Sequence, residues 1–575
     1  MSDLVAYEYV GALREICHEN GLKSWLENYG HWGFPAEFLQ YGGQSDQVAG
    51  EFWAGEGRPR DYEPRAASSC AHIYGKRQVW AESCTSGDRA YQRYPETLKM
   101  FLDHSFTAGV NSTLLHLYVQ QPDDRMPGIN AWFGTEFNRH NTWFRYFDMF
   151  SDYLRRCNFL LQQGDYVADV AYYIGEDAPK MTGICNPPLP EGYSFDFINA
   201  EVLCNHARVE DGSLVLDSGM RYRLLVLPPQ KDMRPEVLKS IVQLVRDGLT
   251  VTGPMPERSP SLAGYPKADE TVKSLASLLW RPGNYGKGRV YPEGTPLSVI
   301  LSNLGVSPDF LYFTPDNALT EVRFLHRRIA DAEIYFISNE EPRPVHLDLV
   351  FRNGKYRGAE IWDPVTGGRK GLDVKVSGGS TSAVLDLDKY GSTFIVLRNR
   401  AIEPVSERIV ATAALPGPWK VTFEAFCGNE GFEREFAELQ DWAASDDAAV
   451  RYYSGVAHYE TEIDLDGVSG DNRYELDLGR VMVMGRVKVN GQDAGGVWTE
   501  PYRVDVTGLL HEGSNTIEVE LANNWMNRLM GERLKPAGER KTFILTDPAL
   551  GDGAALQESG LIGPVVLKTF SAKSR

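Results

Sequence analysis

The chain has 575 residues and a formal net charge of −19. Phosphate recognition needs clustered Lys and Arg, so this balance argues against a nucleic-acid partner. No apolar run is long enough to span a bilayer, which excludes a helical membrane anchor within the sequence read here and makes a membrane partner unexpected. Hydrophobic residues at 42% and charged residues at 24% suit a globular protein of several domains.

In chain order, the first helix is expected from Leu4 to Asn20, stopped by Gly21, and Lys23 to Gly30 reads as a strand with Glu27 and Asn28 near its end. Two short apolar runs follow, Val48-Ala49-Gly50-Glu51-Phe52-Trp53 and Gln78-Val79-Trp80-Ala81-Glu82-Ser83, with a helix-like segment, Arg65 to Lys76, between them. Pro95 opens a helix that Gly109 closes, with Leu98, Phe101, Leu102 and Phe106 on one side. Asn111 to Val119 is a further strand with His116 in its middle, and Thr142 to Gln163 a long aromatic-rich helix. Four strand–helix units in about 165 residues are half of the eight that a (β/α)₈ barrel needs.

Residues 166–305 form a different unit. Val167 to Ile174, Tyr222 to Leu227 and Leu249 to Gly253 are apolar strands of the parallel-sheet kind, with a helix from Pro235 to Gly248, so a small flavodoxin-like, doubly wound α/β domain is expected. It lacks a Gly-x-Gly-x-x-Gly turn, which argues against a nucleotide role. From Val306 helices are expected to disappear. Residues 306–400 read as one β-sandwich, with strands at 333–338, 345–351, 359–362 and 392–397. Residues 401–575 read as a second, with strands at 474–478, 486–489, 502–506 and 516–521 and a two-residue turn at Asn490-Gly491. The fold class is therefore multidomain α/β plus all-β: a TIM-barrel half over residues 1–165, the α/β domain and two sandwiches.

The seven cysteines are odd in number and contain no Cys-x-x-Cys pair, so free thiols are expected rather than a disulfide framework or zinc site. With no signal peptide visible, this leans towards a reducing, cytoplasmic setting. His31, His72, His104 and His116 give no metal-binding spacing. Asp464-Leu465-Asp466-Gly467 is a hairpin turn, since Val468 and Ser469 break the calcium-loop pattern. The strongest candidates for chemistry are Glu82 and Glu51. Barrel active sites lie at the C-terminal ends of strands, and glycosidic bonds are usually cut by paired carboxyl groups. Glu27, Asn28, Trp53, Trp80 and His116 stand beside them as candidate substrate-binding residues, because tryptophan faces suit the apolar faces of sugars. Trp498, Tyr502 and Trp525 offer a second sugar platform in the last domain, but tryptophans in sandwiches are usually core, and core is the preferred reading.

Several stretches carry a family resemblance. They are Ala49-Gly50-Glu51-Phe52-Trp53, Ser69-Cys70-Ala71-His72-Ile73-Tyr74-Gly75-Lys76, Ala81-Glu82-Ser83, Ala108-Gly109-Val110-Asn111, Phe137-Asn138-Arg139 and Asn141-Thr142-Trp143. With Val167-Ala168-Asp169-Val170 and Leu225-Val226-Leu227-Pro228, the sequence resembles glycoside hydrolase family 106, the α-L-rhamnosidases. Asp477-Leu478-Gly479, Gly495-Gly496-Val497-Trp498 and Asn523-Asn524-Trp525-Met526-Asn527-Arg528 resemble the jelly-roll, galactose-binding-like domain of many glycosidases. The resemblance implies hydrolysis, with inversion, of terminal α-L-rhamnosyl linkages in an oligosaccharide, polysaccharide or glycoside. It makes Glu82, on a seventh barrel strand, the general base. Glu51, on the sixth, would contact sugar hydroxyls or a calcium ion, and the general acid belongs to a fourth strand that this sequence does not contain. A β-galactosidase-like barrel hydrolase and a non-catalytic carbohydrate-binding protein are the alternatives.

Overall fold

The computed structural model describes residues 1–28, 36–55, 57–87, 90–315, 318–545 and 555–572; Gly30 and His31 lie outside them. The N-terminal helix begins as a π-helix, Leu4–Gly11, and continues as α1, Ala12–Glu19. Strand–helix alternation follows: β1 (Trp25–Glu27), α2 (Phe38–Gly43), β2 (Gln47–Trp53), α3 (Tyr62–Ile73), β3 (Val79–Thr85), α4 (Pro95–Thr107), β4 (Ser112–Leu115) and α5 (Phe147–Leu161), the last preceded by a 3₁₀ turn, Thr142–Tyr146. The four strands form one parallel sheet in the order β1-β2-β3-β4. Its edges are β1 and β4 among the described residues.

One face of this sheet is packed. Val48, Phe52, Val79 and Ala81 are fully buried against α3, whose Ala66, Ala67, Cys70 and Ala71 are small enough for close approach. At Gly50 a Cβ would lie 2.6 Å from the Glu63 backbone, so only glycine lets the helix start this near the strand. Helix α3 is buried on its far side too. There the Asp196 carboxylate accepts from Ser69 Oγ (3.0 Å) and Tyr222 Oη (2.9 Å) and meets His72 Nδ1 at 2.9 Å. Asp196 belongs to a second sheet of six strands, in the spatial order Asn284–Tyr285, Gly288–Pro292, Thr250–Gly253, Leu224–Val226, Val170–Tyr173, Phe195–Ile198. All its pairings are parallel except the first, a hairpin. Pro235–Asp247 lies against it with Val237, Leu238, Ile241, Leu244 and Val245 buried, as its spacing predicts.

Two pairs of antiparallel sheets complete the chain. The strand Asp165–Tyr166 pairs with Arg327–Arg328 in the first pair, so the backbone touches that sandwich before it enters the parallel six-stranded unit. A buried ionic group joins the two. His326 places Nδ1 2.7 Å from Asp309 and Nε2 2.6 Å from Glu333, while Arg352 binds Asp169 at 2.7 Å and Asp309 at 3.3 Å. In the last sandwich the Asn490-Gly491 turn forms as expected, both residues having positive φ, 53° and 74°, between Met484–Val489 and Gln492–Val497. The expectation that helices disappear after Val306 is corrected. Met526–Arg533 is helical, its first amide capped by Asn524 Oδ1 at 3.1 Å, and a short turn of helix spans Ala448–Arg451. All seven cysteines are free. Among the described residues no helix is long and apolar enough to cross a membrane.

Candidate active site

Alternation along a strand sends successive side chains to opposite faces. Since Gly50 meets α3, Glu51 faces the other way. The register sets Glu51 directly opposite Glu82, and Ala49 opposite both Glu27 and Trp80. Glu27, Glu51, Trp80 and Glu82 therefore share the face that α3 leaves uncovered, at and near the C-terminal ends of three adjacent strands.

The three carboxyl groups act on one another. Glu51 is buried, and burial, then the charges of Glu82 and Glu63, push its carboxyl from the ordinary 4.5 up to about 8, against a hydrogen bond from Trp53. Glu27 is half-buried and hydrogen-bonded to Glu82; burial and then the Glu82 charge raise it to about 8 as well. Removing carboxylates from water and placing them side by side both favour the protonated form. Glu82 has the most elaborate support: its Oε1 accepts from Thr85 Oγ1 at 2.5 Å and lies 3.2 Å from His116 Nδ1. Burial lowers the His116 pKa and outweighs the attraction of Glu82, which keeps the imidazole neutral.

A bulge makes this support possible. Phe52 pairs with Ser83 but Trp53 pairs with Thr85, leaving Cys84 as the extra residue with φ 68°, a left-handed conformation that disfavours a side chain. The extra residue turns Thr85 to the side of Glu82. His116 does not lie mid-strand as expected; β4 ends at Leu115, and His116 opens the loop that follows. That loop folds back, with Leu117 N donating to Thr135 O and Thr135 N to His116 O, both at 3.0 Å, and it stacks Phe133 on the imidazole at 5.6 Å between ring centres.

The other predicted residues have mixed fates. Trp53 is half-exposed beside Gly87 at the same strand ends. Trp80 is half-buried, with its Nε1 shut from water and unpaired among the described residues. Asn28 is fully buried with both ends of its amide unpaired among those residues. Trp498, Tyr502 and Trp525 form no platform, being buried at 2%, 1% and 0% exposure. Trp498 packs on Phe150 and Tyr153, Tyr502 Oη donates to Glu96 at 2.6 Å, and Trp525 Nε1 donates to His140 O at 2.8 Å. They fasten the last sandwich to the loops and helices around the parallel sheet. Sequence reasoning missed Glu63, Thr85 and Phe133. The spacing Glu82-x-x-Thr85 was a usable signal only once a bulge was known. Among the described residues no group of three His, Cys, Asp or Glu side chains is arranged to hold a metal ion.

Comparison with known proteins adds the family. A putative beta-glucuronidase of Formosa agariphila is 36% identical over 424 residues, covering 73% of this chain and 35% of that protein. The structure of a rhamnosidase from Novosphingobium sp. PP1Y superposes with a TM-score of 0.90 at 33% identity, over 99% of this chain and 55% of that one. A beta-galactosidase from Bacillus circulans sp. alkalophilus aligns at 12% identity over 68% of this chain and 66% of its own, with a TM-score of 0.45, too remote to bear on the assignment. The chain thus spans about half of the rhamnosidase and about a third of the Formosa protein. The glycoside hydrolase family 106 model, described as alpha-L-rhamnosidase, matches residues 1–375, and the chain belongs to that family.

Proposed function

We propose that this chain holds the water-activating side of an inverting α-L-rhamnoside hydrolase site, on four strands of a (β/α)₈ barrel. The observation that carries the reading is Glu82, held by Thr85 and His116 among Glu27 and Glu51 at the ends of parallel strands. A base must be held still and within reach of its water. Thr85 and His116 fix Oε1, and Glu82 takes the proton of a water that attacks the anomeric carbon. Glu27 and Glu51, held protonated at neutral pH, are hydrogen-bond donors for sugar hydroxyls, and Trp53 and Trp80 offer apolar surface to the ring.

The general acid is none of these three. Inverting pairs stand roughly 6.5–9.5 Å apart to admit the water and the sugar, whereas Glu27 bonds directly to Glu82 and Glu51 is its cross-strand neighbour. The acid belongs on a segment facing these strands.

The test is hydrolysis of an aryl α-L-rhamnoside by the chain alone and joined to an acid-bearing barrel segment, followed by proton NMR of the released sugar. The expected result is negligible turnover alone and inverted L-rhamnose from the completed site. Retained configuration, or preference for an aryl β-D-glucuronide as the Formosa relative's name suggests, would overturn the reading.

A further inference from the structure

The loop that carries His116 is held from behind by a buried cation that the mechanism above does not use. Arg93 lies between β3 and α4, its side chain only 7% exposed. Its guanidinium donates to Gly134 O at 2.9 Å, to Thr135 Oγ1 at 3.3 Å and to the Glu136 carboxylate at 3.4 Å, so three successive residues of the loop are bound to one side chain. Glu136 is buried as well and also accepts from Tyr91 N at 2.9 Å. Burying such a pair is costly, and apolar residues of similar volume often serve stability as well, so the pair is better explained by the conformation it specifies.

That conformation bears on Glu82. Thr135 O accepts from Leu117 N and Thr135 N donates to His116 O, so fixing Thr135 fixes the His116 backbone. Thr135 Oγ1 gives its own proton to Cys84 O at 3.0 Å, which ties the same residue to the bulge that aims Thr85. Gly134 runs so close that a Cβ there would lie 3.1 Å from His116 Nδ1 and 2.7 Å from Leu117 Cδ2. At the far end, the Thr85 hydroxyl gives its one proton to Glu82 Oε1, yet His116 Nδ1 lies 3.2 Å from both of those oxygens. Nδ1 must then carry a proton of its own, which leaves Nε2 of the neutral ring bare. We propose that Arg93 is a positioning residue for Glu82: by holding residues 134–136 it keeps the His116 imidazole against the carboxylate with Nδ1–H directed at it. Its bearing on hydrolysis rests on the reading of Glu82 as the base of a rhamnoside site.

The experiment is long-range proton–nitrogen NMR of the full 575-residue chain, carrying isotope-labelled histidine at neutral pH, with His116 assigned from its loss in His116→Gln. Bare and protonated ring nitrogens resonate far apart, so the spectrum reads the tautomer directly. The wild type should show Nδ1 protonated and Nε2 bare. Arg93→Met, which removes the donors and stays apolar, should lose that single pattern for one averaged between the two tautomers. Thr135→Val, which removes only the hydroxyl, should do so in part. A side chain that served stability alone would lower the melting temperature and leave the tautomer of the folded protein as it is. An unchanged His116 pattern in folded Arg93→Met, or a wild type with Nε2 protonated, overturns the proposal. Should Arg93→Met not fold, Thr135→Val decides, an unchanged pattern again overturning it. No sugar enters this measurement, so the positioning role can fail while the rhamnoside hydrolysis test succeeds, and the reverse.

Discussion

Replacing Glu51 by Gln should make the protein more stable at neutral and alkaline pH while impairing its site. Glu51 is buried, and its carboxyl titrates near 8 instead of 4.5. A group whose folded pKa is raised contributes stability below its unfolded pKa that is lost as pH rises through the folded value. At about 1.4 kcal/mol per pKa unit, the loss is about 1 kcal/mol at pH 5, about 3 at pH 7, and approaches about 5 above pH 9. Glutamine fills the same space, still accepts from Trp53 and carries no charge, so the variant escapes this loss. Thermal melts of wild type and Glu51→Gln, followed by tryptophan fluorescence at pH 5, 7 and 8.5, should nearly coincide at pH 5 and separate progressively, the variant melting higher. An offset that does not change with pH, or a variant that falls further behind as pH rises, would refute the reasoning. The gain is the cost of holding uncharged carboxyls together at a functional site.

Three further outcomes follow from other parts of the molecule. In a completed site, Glu82→Gln should lower turnover by about 10²-fold or more with little change in sugar affinity, because it removes a base and keeps the shape; steady-state kinetics with inhibitor titration reads both. Leu4, Tyr9, Leu13, Ile16 and Trp25 at the β1 side, and Leu114 and Tyr118 at the β4 side, are exposed, so the chain alone should self-associate, and a concentration-independent monomer in light scattering counts against that. His326→Gln should destabilise by about 1.5–3 kcal/mol at pH 6, since it removes the cation that buried Asp309 and Glu333 share and leaves them only Arg352 and Arg328. Burial alone would lower the His326 pKa, but Asp309 and Glu333 outweigh it and raise it. The stabilisation is thus present below the ordinary 6.5 and lost as pH rises through the raised value, so the variant and wild type should converge at alkaline pH.

The sequence announced the carboxylates because each ends an apolar run that had to be a buried strand. Val48 and Val79 fix the packed face, and Glu51 and Glu82 are then forced onto the other. It could not announce what supports Glu82. Thr85 reaches it only through the extra residue at Cys84, and a bulge leaves no mark in a period-two pattern. His116 reads as mid-strand for a related reason: Leu114-Leu115-His116-Leu117 is apolar enough to continue the strand to Val119, and only the returning loop at Thr135 ends the pairing at Leu115. For Trp498, Tyr502 and Trp525 the preferred core reading holds, but the sequence could not say what they pack against, because an aromatic in a sandwich looks the same whether it meets its own sheet or another part of the chain. What decided their burial was contact with residues nearly four hundred positions away.

Those long contacts also bear on how the protein is made. Tyr502 closes on Glu96, and Asn523 accepts from the Thr142 hydroxyl, across separations of 406 and 381 residues. During synthesis the parallel sheet leaves the ribosome well before the strands that clamp its loops. At about 5–20 residues per second, it waits roughly 20–80 s for that clamp. Throughout that interval Glu96 and Thr142 lack their later partners, so newly made chains depend on chaperones more than the finished protein's hydrogen bonding would suggest.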